Sequence, residues 1–308
     1  MPSYLKIIIY LSGAITAGAL VAPPIFWAGQ ALDAAGLTEW LAKFPFHRVL
    51  SRSLQVSALV FLVPALRWIG LRRPGQLNLQ PNPSALTDTL VGILLAVGIV
   101  ALLSLGYFLS GMFEFRAHPD WAGLGRVLLT ATFVSGIEEI VFRGVILGVC
   151  LWTLPRAGAI FVTTVLFVTV HFIKPSKTKI APDEVQWSSG FSEVLRVGDG
   201  LPVGVVLAFG VASLFVAGWI LGSAAVRTHS LWLPIGLHAG WILGQQSTGL
   251  FLRPASARAE DLLPWVGPNL VTGAVPTGLL PLLALLFTGF LVKIYLHYVF
   301  RPADSKVG

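Results

Sequence analysis

The stretch Ser135-Gly136-Ile137-Glu138-Glu139-Ile140-Val141-Phe142-Arg143-Gly144 puts three formal charges in the middle of an otherwise apolar run from Leu124 to Trp152. At the centre of a membrane helix each charge costs about 2.5 to 3.5 kcal/mol, so the trio must be paired or face a water-filled cavity. Helical spacing supplies one pairing. Glu139 and Arg143 stand at i and i+4 with the acid toward the N-terminus, the favoured order. Glu138 lies about 100° around the helix from Glu139 and is five residues from Arg143, off that pairing face. One carboxylate is thus expected in a structural pair and its neighbour available for chemistry. Gly136, Gly144 and Gly148 are small enough to admit neighbouring helices. The alternative is a purely structural polar knot that fixes helix register.

The rest of the chain supports a bilayer as the solvent. Only 11% of the 308 residues are charged and 55% are hydrophobic, against about 25% charged in a soluble domain. This excludes a disordered chain or a secreted disulfide scaffold, and with a single cysteine, Cys150, no cysteine zinc cluster can form. The net charge of +7 is read as basic loops on one membrane face rather than as a nucleic-acid footprint, so no nucleic-acid partner is expected. Apolar runs of spanning length lie near Tyr4 to Trp27, Ser53 to Ile69, Ala85 to Met112, Leu124 to Trp152, Ala157 to Ile173, Leu201 to Val226, Ser230 to Leu250 and Thr277 to Phe300. The expected fold is all-α: a single membrane domain over 1–308 with about eight transmembrane helices, its core at 124–250. The first run, with Lys6 before its apolar stretch, resembles a signal peptide, but it is long and reads as an uncleaved helix.

Lys6, Arg67, Arg72, Arg73, Arg156, Arg227, Arg301 and Lys306 fall on one side under an even span count. That pattern predicts a multi-pass protein of the cell (inner) membrane with cytoplasmic termini. Two loops carry amphipathic patterns. After Pro182, Trp187, Phe191, Val194 and Leu195 recur at helical spacing with Glu184, Ser188, Glu193 and Arg196 between them, which suits a short helix in the membrane interface or a lid over an embedded site. Leu37, Trp40, Leu41 and Phe44, with a cap at Thr38, form a similar pattern.

Two histidines join the charged stretch. Phe167 and His171 share one face near the end of the fifth run, and His238 sits well inside the seventh. Two acids and two histidines on three apolar segments form the kind of intramembrane ionisable cluster that points to a functional site. A carboxylate with an imidazole can deprotonate water, and a second imidazole can hold a developing oxyanion, which together are the parts of peptide-bond hydrolysis. The sequence contains no Gly-x-Ser-x-Gly motif, and Cys150 has no partner at helical spacing, so the expected nucleophile is water. Glu138, His171 and His238 could instead bind one zinc ion, although no His-Glu-x-x-His motif is present.

The order Glu138-Glu139-x-x-x-Arg143, Phe167-x-x-x-His171 and a later His238 resembles the CAAX prenyl protease and bacteriocin-processing family. These proteins are also called type II CAAX endopeptidases or the Abi family of intramembrane proteases. The resemblance covers about Leu124 to Leu250. It implies about eight membrane helices and endoproteolysis of a membrane-associated peptide or protein near its C-terminus, and it does not require a prenylated substrate. It also implies that Glu138 and His171 activate the water, that His238 holds the oxyanion, and that Glu139 and Arg143 support the site. Four positions after His238 the family commonly has Asn, whereas this chain has Ile242, leaving a backbone group or the indole N–H of Trp241 to fill the gap. Two other readings compete: a transporter or proton relay through the same ionisable residues, and a non-catalytic membrane scaffold of protease ancestry. No pair of short, Gly/Pro-broken spans or repeated halves favours the transporter.

Overall fold

The computed structural model describes residues 3–37, 43–70, 80, 82–172, 180–196, 204–256, 259–268 and 277–299. Thr38, Trp40 and Leu41 of the second amphipathic pattern lie outside the described residues, as do Arg72, Arg73, Arg301 and Lys306 of the charge pattern. The chain divides into two compact units, residues 1–72 with 169–202, and residues 73–168 with 203–308.

The first unit is built on α1 (Ser3–Ala34) and α2 (Phe46–Ile69), with a short helix α7 (Ser189–Leu195) against α1. Ala22, Phe26, Phe46, Leu50 and Val185 form its core. Gly70, in the left-handed conformation, ends α2 with its N–H on the carbonyls of Leu66 and Arg67, a conformation that costs glycine nothing.

The second unit begins with α3 (Ala85–Leu109). It continues through α4 (Gly123–Glu139), a π-helical segment (Ile140–Ile146) and the short α5 (Leu147–Cys150), then through most of α6 (Arg156–Phe172). α8 (Val205–Thr228), α9 (Trp232–Phe251) and α10 (Leu279–Val299) complete its helices. Five helices are long and apolar enough to cross a membrane among the described residues: α1, α2, α3, α8 and α10. Exposed Leu94, Leu102, Phe287 and Phe290 stud their outer faces, the pattern of a multi-pass integral membrane protein.

The other three expected runs are helical but do not reach that standard, for identifiable reasons. Leu124 to Trp152 is split by the π-segment, α6 is described over 17 residues up to Phe172, and α9 carries His238, two glutamines and four glycines along 20 residues. These are the segments with the chemistry-bearing side chains. The fold also holds a small sheet that the hydrophobic pattern did not announce. β1 (Phe113–Phe115) pairs antiparallel with β2 (Leu252–Pro254), and Glu114 meets Arg253 at 2.6 Å across the ladder.

The most extensively packed pair in the second unit is α3 with α9. Gly236, Gly240 and Gly244 make one stripe on α9. A Cβ at Gly236 would overlap the Thr89 carbonyl, one at Gly240 would stand 2.7 Å from Ala96 Cβ, and one at Gly244 would stand 2.9 Å from Val100 Cβ. Without a hydrophobic drive between helices in lipid, such backbone approach is what binds them. His238 is about 200° around the helix from Gly236, so the stripe that seats α9 on α3 turns His238 to the opposite side. A buried polar lock holds the same pair near the start of both helices. Asp88 accepts from Asn82 Nδ2 at 2.7 Å and from the Tyr295 hydroxyl, and Asn82 also donates to Ser230 Oγ. Ser230 Oγ in turn accepts the Trp232 N–H that opens α9. Gly136, expected to admit a neighbour, has open space where a Cβ would be and does not do so.

Replacing Gly240 by Val should therefore lower stability by about 1 to 3 kcal/mol through overpacking. Gly98→Ala, on α3 with nothing within 4 Å of a Cβ, should be neutral or stabilising by up to about 1 kcal/mol. Thermal unfolding of the detergent-solubilised variants checks the contrast, and equal losses at both positions would contradict the close α3–α9 approach.

Candidate active site

Glu138 and Glu139 are the last two residues of α4, immediately before the π-segment. There the Leu147 N–H bonds the carbonyl of Phe142, five residues back. Such bulges inside α-helices are rare and recur at functional sites. The last five residues of the π-segment, Phe142 to Ile146, are all buried, including a wholly buried arginine, and the buried run continues to Val149.

The expected pair forms. Arg143 Nη1 donates to Glu139 Oε1 at 2.9 Å, with both side chains completely buried. Arg143 Nη2 reaches the Gly218 carbonyl of α8 at 3.4 Å, and its guanidinium lies 4.4 Å from the centroid of the Phe167 ring. Phe167 also meets Phe142 edge-on at 5.1 Å and the His238 ring at 6.2 Å. The role of Phe167 is thus a wall that seats the cation and flanks the imidazole.

His238 supplies the contact that spacing could not predict. Its Nδ1 lies 2.8 Å from Glu139 Oε1, the same oxygen that holds Arg143. Its Nε2 lies 3.9 Å from Glu138 Oε2, beyond a direct hydrogen bond but within strong electrostatic reach. Pro234 falls in the first turn of α9, where a missing N–H costs nothing, so the helix runs unbroken to His238. Side-chain exposure separates the two acids: none for Glu139 and 27% for Glu138, beside 11% for His238.

This geometry restricts the imidazole chemically. An ionised carboxylate only accepts, so Nδ1 carries the proton that faces Glu139. Nε2 is then a lone-pair base on a neutral ring or a second donor on a protonated one. Glu139 therefore fixes both the orientation of the ring and which nitrogen faces Glu138.

The structure brings together Glu138, Glu139, Arg143, Phe167 and His238 within the second unit. His171 lies in the last turn of α6, one turn beyond Phe167, and groups with the first unit. Trp241 packs against the cluster of Ile220, Leu221 and Leu237, and Ile242 is buried. Among the described residues no three His, Cys, Asp or Glu side chains gather as a metal ion would require. The Gly218 carbonyl and the glycine stripe of α9 went unread in the sequence. The stripe had a visible signal in its four-residue repeat, whereas the carbonyl had none.

No curated protein and no solved structure matches the chain. Residues 120–243 match the family model described as Type II CAAX prenyl endopeptidase Rce1-like, a range that contains Glu138, Glu139, Arg143, Phe167, His171, His238 and Trp241. The chain carries a type II CAAX prenyl endopeptidase family domain over residues 120–243.

Proposed function

We propose that this protein is an intramembrane endopeptidase that hydrolyses a peptide bond in a membrane-associated protein or peptide. The observation that carries the reading is the buried group in which Glu139 holds both Arg143 and His238 while the more open Glu138 faces His238 Nε2. A structural knot needs only the paired acid. The second acid, partly open and beside an oriented imidazole, has the arrangement of an acid–base site.

In this reaction Glu138, with His171, takes a proton from water as the water oxygen attacks the scissile carbonyl carbon. His238, protonated on both nitrogens, donates from Nε2 to the oxyanion that forms. The proton held by Glu138 then passes to the leaving amine as the C–N bond breaks and the carboxylate product separates. Glu139, Arg143 and Phe167 position the imidazole, and Trp241 supports the helix that carries it. We assign the remaining apolar helices to a fold of about eight spans with cytoplasmic termini, in the cell (inner) membrane, acting without a metal. The zinc arrangement with Glu138, His171 and His238 as ligands is the alternative. Ile242, buried where the family commonly has Asn, favours a second reading as a non-catalytic scaffold.

Cleavage of a peptide library by the purified, reconstituted protein tests these readings. Glu138→Ala should abolish cleavage while leaving membrane insertion intact, and full activity in that variant would refute the assignment. Activity absent from the wild type as well as the variant would favour the scaffold.

Glu139→Gln should lower kcat by about 10² or more with little change in KM, because an amide no longer enforces the tautomer of its partner ring. An unchanged kcat would remove Glu139 from the positioning role. Exhaustive metal removal should leave cleavage unaffected; loss of activity on chelation and its recovery with zinc would install the metal as water activator instead.

A further inference from the structure

The two-stranded sheet of the second unit has one edge closed and one open. The Arg116 N–H bonds the Phe251 carbonyl at 2.8 Å and the Ala255 N–H bonds the Met112 carbonyl at 2.9 Å, at the two ends of the ladder. Bonded pairs recur at every second residue of an antiparallel ladder, so the pair midway, Glu114 with Arg253, is bonded as well. Phe113 and Phe115 on β1, and Leu252 and Pro254 on β2, therefore turn their main-chain groups away from the partner strand. On β2 that edge has no donor left, because the Leu252 N–H is taken by the Thr248 carbonyl at the end of α9 and Pro254 has no N–H. β1 has no such closure. Among the described residues no hydrogen bond reaches the N–H or C=O of Phe113 or Phe115, and Phe115 is 61% exposed.

The open edge is held in place from both faces. The Phe113 ring stacks on Tyr107 with centroids 5.0 Å apart, and the Phe115 ring lies 4.8 Å from that of Phe108, so both rest on the last turn of α3. On the other face the ion pair of Glu114 with Arg253 fixes the register. A strand already ordered by its neighbours loses little freedom when a third strand pairs with it. α3 is long enough to cross a bilayer and β1 begins four residues past its end, so the edge lies at the membrane boundary. Exposed Phe115 and Trp121 are the aromatic residues expected there.

Backbone donors and acceptors left open along a strand fit one kind of partner, another extended main chain. Two outward residues are too few to hold a free peptide. They suit a segment that is anchored a short distance away, where linkage raises its effective concentration. The candidate active site is such an anchor. The end of α9 and the approach to α4 both adjoin the sheet, since the Asp120 N–H bonds the Leu250 carbonyl. His238 stands 13 residues before Phe251 on α9, about 20 Å away, and Glu138 stands 15 residues after Gly123 on α4, about 22 Å away. An extended chain covers that distance in about six or seven residues.

We infer that the open edge of β1 is a main-chain docking site for the peptide substrate, which adds as a third strand about six or seven residues from the bond that is cleaved. The identity of the occupant rests on the protease reading. Pairing through the main chain sets the distance to the scissile bond and accepts many sequences. Side-chain preference falls on alternate residues, which meet the Phe113 and Phe115 rings on one face of the sheet and the Glu114–Arg253 pair on the other.

Fluorescence anisotropy of labelled library peptides, titrated with the reconstituted full-length Glu138→Ala protein, tests this without any cleavage. Peptides that bind are then N-methylated one residue at a time. Affinity should fall about fivefold at two positions two residues apart and not at the residue between them, because only alternate N–H groups reach the Phe113 and Phe115 carbonyls. In the same background Phe115→Pro removes an outward N–H without touching the ladder and should weaken binding about fivefold, whereas Phe115→Leu keeps that N–H and should change it by less than about twofold. Should Phe115→Pro fail to fold, hydrogen exchange over residues 112–116 decides: it slows when peptide binds, and unchanged exchange would overturn the proposal. No binding by any peptide, methylation effects without the alternation, or equal affinities of the two Phe115 variants would overturn it too. So would a dimer lost in Phe115→Pro while peptide binding is unchanged, which would give the edge to a second copy. Alternating binding of peptides that the wild type never cleaves would refute the protease reading and leave the docking edge standing.

Discussion

One carboxylate oxygen organises the centre of the second unit. Glu139 Oε1 accepts from Arg143 and stands at hydrogen-bonding distance from His238, so a single atom joins two positions on one helix to a third nearly a hundred residues away. With neither Glu139 nor Arg143 reaching solvent, each ion is tolerable only because the other is present. Removing one partner of such a pair commonly costs about 3 to 5 kcal/mol, because the survivor is left buried and uncompensated. The same dependence gives the imidazole its fixed orientation, since a ring held by an immobile carboxylate pays no further entropy to be held.

That oxygen can serve three positions only because the backbones come close enough. The glycine stripe of α9 lets α3 replace side chains with backbone contact, and the lock around Asp88 holds the start of the pair. Seated in this way, α9 offers His238 to the end of α4 rather than to α3. On the α4 side, the π-segment carries Arg143 into the interior, where the Phe167 face and the Gly218 carbonyl complete its surroundings. Apolar packing thus sets the distances, and the charges exploit them.

Much of this was legible in the sequence, and the failures have physical causes. The Glu139–Arg143 pair followed from a four-residue spacing, which is local and survives the π-bulge. The Glu139–His238 contact depends on how two distant helices are rotated against each other, and no local pattern encodes that rotation. Gly136 was read as a contact glycine from size alone, yet it faces open space, while Gly236, Gly240 and Gly244 make the close approach. Counting apolar runs gave eight spans; five helices among the described residues meet the requirement of length and apolarity, and α9 is diluted by His238, two glutamines and four glycines. Glu193, expected among the polar residues of an interfacial helix, is buried and pairs with the half-exposed Arg196.

The charge arithmetic of the group bears on the oxyanion. Two carboxylates and one guanidinium leave an excess negative charge, and a doubly protonated His238 would bring the four groups to neutrality. In that form Nε2 becomes a donor on the side of Glu138, which is where the proposed reaction needs one. A neutral asparagine at position 242 would have added a second donor without changing the balance, and Ile242 adds neither charge nor donor. The oxyanion of the proposed reaction would then rest on a single charged hydrogen bond instead of two neutral ones. Bonds from ionised donors are about twice as strong as neutral ones, so the exchange need not forfeit the whole contribution of the missing amide. It ties that contribution to the protonation of one ring, whose orientation already depends on Glu139.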